Sequence, residues 1–178
     1  MKANVFHIIQ AHLATLKIDG EARYHRPDIL LFFILPLLIA VMAWAFGGSI
    51  EKDTFSVSIS VFAIFSALLL NVQIALFSIS QRDWKPEADA LSNDLRKKKL
   101  DERRELLGEL NTNISYLIVV SCLAVTVFLI FYVIKKTDCI ETPISIWLYV
   151  HFFLTLLMII KRAHALFQKE YEVTGHPE

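Results

Sequence analysis

Four stretches of this 178-residue chain, residues 29–46, 54–79, 114–134 and 144–160, contain no Asp, Glu, Lys or Arg. A helix needs about 20 apolar residues to cross the hydrocarbon of a bilayer, and each stretch comes within reach of that length. In lipid the backbone has to satisfy its own hydrogen bonds, which makes a continuous apolar run a helix. The expected fold class is therefore all-α, a polytopic membrane protein with four transmembrane helices. The composition agrees: 55% of the residues are hydrophobic and thirteen are Phe, a balance outside the range of soluble domains.

The net charge is zero, but the charges are segregated. Lys2, Lys17, Arg23 and Arg26 precede the first run, Lys161, Arg162 and Lys169 follow the last, and eight Lys and Arg lie between runs two and three. The other two connections carry only Lys52, Lys135 and Lys136. Basic residues accumulate in cytoplasmic loops, so this asymmetry predicts that both termini and the long connection are cytoplasmic, as in a bacterial inner membrane.

Residues 1–20 read as a separate amphipathic helix rather than a signal peptide, with no small-residue cleavage site after it. Val5, Ile8, Ile9, His12, Leu13 and Leu16 recur on one face, which could rest in the membrane interface or pack on the protein's own helices. Gly20 is a plausible stop. In the first run, Pro36 predicts a kink. Residues 80–113 form a charged helical loop in which Pro86 starts a short helix, Ser92–Asp94 offers a break, and Trp84 marks an interface. From Leu95 nothing stops a helix until about Ile134, so the charged segment should continue into the third span as a stalk. Residues 161–178 complete the chain as a tail.

Motifs that would mark an enzyme are missing: there is no H-E-x-x-H, phosphate-cradling glycine loop or nucleophile elbow. No catalytic residue, cofactor or metal site is expected. His7 and His12 fall on different faces of one helix, and a histidine inside a span, His151, is read as bonded to a neighbouring helix. The two cysteines, Cys122 in an apolar run and Cys139 in a short loop, suggest no disulfide framework.

Two patterns are candidates for function. Ser56, Ser60, Ala63, Ala67, Asn71, Ala75 and Ser78 form a small-to-polar stripe down the second span. Close helix packing is the more frequent cause of such a stripe, and a pore-lining face in an oligomer is the other. Asn71 adds weight to the second, because an amide within a span needs a partner or water. Gln73 lies far around the helix and asks for a different partner. The basic run Arg96, Lys97, Lys98, Lys99, Arg103 and Arg104 is either a topological signal held by membrane lipid or a binding surface for an anionic ligand. Glu102, Glu105 and Glu109 dilute its field.

With an N-terminal helix, four spans, the charged stretch "LRKKKLDERRELLGELNTNISY" and no catalytic motif, the layout resembles the small membrane effectors of bacterial anti-phage defence, such as the Hailong channel effector and the Kiwa membrane subunit. The resemblance implies a homo-oligomeric channel under cytoplasmic control, whose opening depolarises the cell in abortive infection. It also implies a nucleotide or oligonucleotide ligand, or a soluble sensor protein, as partner. A non-conducting scaffold that recruits a soluble partner through the charged helices is the alternative, and a lipid-directed enzyme comes third.

Overall fold

The computed structural model describes residues 5–16, 26–81, 90–134 and 138–174. Gly20, Trp84 and Pro86 lie outside them, as do the side chains of Arg96, Lys99 and Cys139. Among the described residues the secondary structure is helical, with no strand. A short helix, α1 (Val5–Ala14), precedes the first membrane-length helix. That helix is assembled from α2 (Arg26–Ile29), a π-helical segment (Leu30–Ile34) and α3 (Leu35–Ala45). Three long helices follow: α4 (Lys52–Ser80), α5 (Ala90–Val133) and α6 (Asp138–Thr174). Four helices are thus long and apolar enough to cross a membrane.

The core follows a seven-residue repeat. On α5 the buried positions include Arg103, Leu107, Leu110, Ile114, Leu117, Ser121, Ala124 and Phe128, at alternating steps of four and three. On α4 the matching seam is Phe55, Phe62, Leu69 and Leu76. A repeat of seven keeps one face of each helix against its partner over a long distance, so α4 and α5 pack as a coiled coil. Phe55 and Phe62 both meet Phe128 across this seam, with ring centroids 6.1 and 5.5 Å apart. Along α6, Ser145, Leu148, Phe152, Thr155, Ile159 and Leu166 continue the pattern.

The helices stand in the order α4, α5, α6, α3, with α1 docked on α5. Phe62 and Phe65 reach from α4 to Tyr149 and Phe152 of α6. In consequence α3 and α4 are edges: Leu37, Leu38, Val41 and Trp44 on one, and Val57, Ile64, Leu68 and Ile74 on the other, are exposed. Exposed apolar side chains of this density belong in hydrocarbon.

The structure differs from the expectations at three places. Helix α5 begins at Ala90 and runs straight through Ser92–Asp94, where a break was expected. Helix α6 starts at Asp138 and continues to Thr174, so much of the tail extends the fourth span. A π-helical segment, Leu30–Ile34, not expected from the sequence, ends two residues before Pro36.

The connection from α3 to α4 rests on two glycines. Gly47 takes φ +73°, the left-handed conformation. Its N–H donates to the Trp44 carbonyl at 3.0 Å, and that of Gly48 to the Ala43 carbonyl at 2.9 Å. This paired arrangement closes the helix by satisfying its last carbonyls. A Cβ at Gly48 would lie 2.8 Å from the Ala43 carbonyl oxygen, a backbone atom with no freedom to move aside. Gly48→Ala should therefore lower stability by about 1–3 kcal/mol, read as a loss of thermal stability of the purified protein.

Candidate functional site

Four polar residues inside the bundle, His12, Asn113, Tyr116 and His151, gather at one junction of α1, the π-helical segment, α5 and α6. Pro36 has no N–H, so the carbonyl of Phe32, four residues earlier, loses its ordinary helical donor. His151 supplies one: its Nδ1 lies 2.8 Å from the Phe32 oxygen, and since a carbonyl only accepts, Nδ1 carries the proton. On the neutral ring Nε2 is then an acceptor, filled by the Tyr116 hydroxyl at 2.8 Å. Trp147 stacks on the same imidazole, its ring centroid 5.0 Å away and nearly parallel. His151 is therefore bonded to neighbouring helices on both sides.

Tyr116 continues the junction to α1. His12 stacks on its ring with centroids 3.8 Å apart, and donates from Nδ1 to Asn113 Oδ1 at 2.7 Å. His12, Asn113 and His151 are each 0% exposed. The face of α1 that bears Ile8, Ile9, His12 and Leu16 thus packs on the protein itself, while His7 is exposed on another face. At the end of α1, Arg162 of α6 donates to the Thr15 carbonyl at 3.1 Å and stands 3.4 Å from Glu109.

The small-to-polar stripe lies elsewhere. Ser56, Ser60, Ala63, Ala67, Asn71, Ala75 and Ser78 are all exposed, on the side of α4 turned away from α5. Ser60 and Ser78 return their hydroxyls to carbonyls of their own helix. Asn71 has no side-chain partner among the described residues, whereas Gln73 donates to Asn111 and Ser115 of α5 at 3.0 and 2.9 Å. Two amides two residues apart therefore have opposite environments.

The basic run is divided. Lys97, Lys98 and Arg104 are exposed on α5. Arg103 is buried and donates to the Ile79 carbonyl at 3.0 Å, closing the C-terminus of α4. It joins stalk to span, and a cation suits a helix C-terminus. Among the described residues no group of three or more His, Cys, Asp and Glu could hold a metal ion.

Sequence reasoning missed the junction as a unit. Its readable signals were His151, expected to bond a neighbouring helix, and Pro36, which implies a donorless carbonyl at Phe32. No family model, curated protein or solved structure matches the chain.

Tyr116→Phe keeps the ring stack with His12 but leaves Nε2 of His151 buried without a donor. A stability loss of about 1–3 kcal/mol is expected in thermal or denaturant unfolding, with membrane insertion unchanged.

Proposed function

We propose that copies of this chain assemble in a bacterial inner membrane, termini and stalk in the cytoplasm, as a gated ion channel that acts as a depolarising effector in anti-phage defence. The observation that carries the channel is Asn71. It sits about two-thirds of the way along α4, exposed and without a side-chain partner among the described residues, on the face formed by the small residues. An amide facing lipid is costly, and the chain satisfies Gln73 nearby but not this one. Copies arranged around an axis would turn the face inward, giving each Asn71 water or the amides of its neighbours. The edge position of α4 leaves that face open for such an assembly.

Control would enter through the stalk. Lys97, Lys98 and Arg104 remain exposed on α5, and a ring of subunits multiplies them into a site for an anionic nucleotide, oligonucleotide or acidic sensor protein. The layout's resemblance to defence effectors supports this role. The same exposed cations favour the second reading, a non-conducting scaffold that recruits a partner, which predicts a stable complex and no current.

The deciding experiment is conductance of the purified protein in a planar bilayer, with oligomer mass measured on the same sample. Asn71→Leu should reduce unitary conductance several-fold while the mass stays the same. Unchanged conductance would take Asn71 out of the pore; silence in the presence of native partners and stimulus would favour the scaffold.

A further inference from the structure

We propose that α1 is a proton-released latch: it stays docked on α5 while the His12 ring is neutral and leaves when that ring takes a second proton. The inference stands independently of the channel. Its basis is the way α1 is held. Of its residues only His12 is buried, with Leu16 just beyond its end, and Val5, Phe6 and His7 are exposed. Besides the apolar packing of Ile8, Ile9 and Leu16, the contacts that fix it include the stack of His12 on Tyr116, the Nδ1–H bond to Asn113, and the Arg162 bond to the Thr15 carbonyl. Two of these last three are made by a ring that can change its charge.

The geometry accepts one ring proton and no more. Nδ1 already donates to Asn113, so an added proton has to sit on Nε2, which is buried with no hydrogen-bond partner among the described residues. A proton there would be a donor without an acceptor and a positive charge in a dry place, both strongly unfavourable. The surrounding groups do not rescue it. From α5 the ring meets the Tyr116 ring and the neutral Asn113 amide; from α6 it faces His151 and the guanidinium of Arg162. Glu109 of α5, the nearby carboxylate, is paired with Arg162. Thr15 on the adjoining turn gives its hydroxyl proton to the His12 carbonyl.

The titration of His12, which lies outside the four spans, runs in the same direction. Burial pushes its pKa from the ordinary 6.5 down to about 4, opposed by the Asn113 bond and assisted by His151 and Arg162. A ring depressed in the docked state and ordinary when released favours docking above about pH 6.5, and the preference falls as the pH drops toward 4. At pH 5 these two values weaken docking by about thirty-fold relative to pH 7.5.

The test is hydrogen–deuterium exchange over residues 5–16 of the full chain in lipid nanodiscs from pH 7.5 to 4.5, corrected for the intrinsic rate at each pH. Protection should fall by about thirty-fold by pH 5 in the wild type. It should hold steady in His12→Phe, which keeps an aromatic ring against Tyr116 but cannot charge. His7→Gln, altering the exposed histidine of the same helix, should behave as the wild type. Protection that is constant with pH in the wild type, or that falls equally in His12→Phe, overturns the latch. Should His12→Phe fail to dock at pH 7.5, NMR titration of the wild-type His12 ring decides. Ring protonation and loss of protection must share one midpoint, and separate midpoints overturn the proposal.

Discussion

A backbone carbonyl that lacks a donor in its own helix has to find one elsewhere, and three such carbonyls tie the described helices to one another. Pro36 removes the donor for Phe32 in the first span, and His151 of α6 replaces it at 2.8 Å. At the C-terminus of α4, Ile79 is served by Arg103 of α5. Past the end of α1, Thr15 is served by Arg162 of α6. Each repair comes from a helix other than the one repaired, so the chemistry that satisfies a local defect also specifies which helices are neighbours. The apolar seams supply packing along the helices, but one heptad face resembles another, and the polar pairings distinguish them.

Much of this architecture was readable before any coordinates. Insertion into lipid depends on the summed character of a contiguous run, so the four spans appear in residues 29–46, 54–79, 114–134 and 144–160 without knowledge of their partners. The continuity of α5 was readable for a related reason: between Leu95 and Ile134 the sequence offers no proline and a single glycine, Gly108. The start of that helix was misjudged at Ser92–Asp94, since residues that favour a cap are also tolerated inside a helix near its start. At Pro36 an irregularity was foreseen as a kink, but not the π-helical form the chain takes just before it. That choice belongs to the neighbour, where His151 waits for the freed carbonyl.

The candidate residues divide along the same line. Asn71 and Gln73 look alike in the sequence, and the expectation that they face different surroundings followed from the helical turn alone. That Gln73 would find Asn111 and Ser115 did not follow, because the pairing depends on the register between two helices. Arg103 was grouped with its basic neighbours, since a charge run does not reveal which member points inward. His12 was counted within an apolar face, and its partner Asn113 lies 101 residues away. Contacts at that separation are properties of the assembled fold.

The length of α5 has a mechanical consequence. Its 44 residues form one rod of about 66 Å, unbroken between its basic end and its most apolar end. A rod of that length converts angle into distance: a tilt of about 5° about one end carries the other through about 6 Å, roughly one helical turn. Since α4, α6 and α1 are all fastened to it, a modest force on the exposed Lys97–Lys98 end acts on the membrane bundle with the leverage of the whole rod.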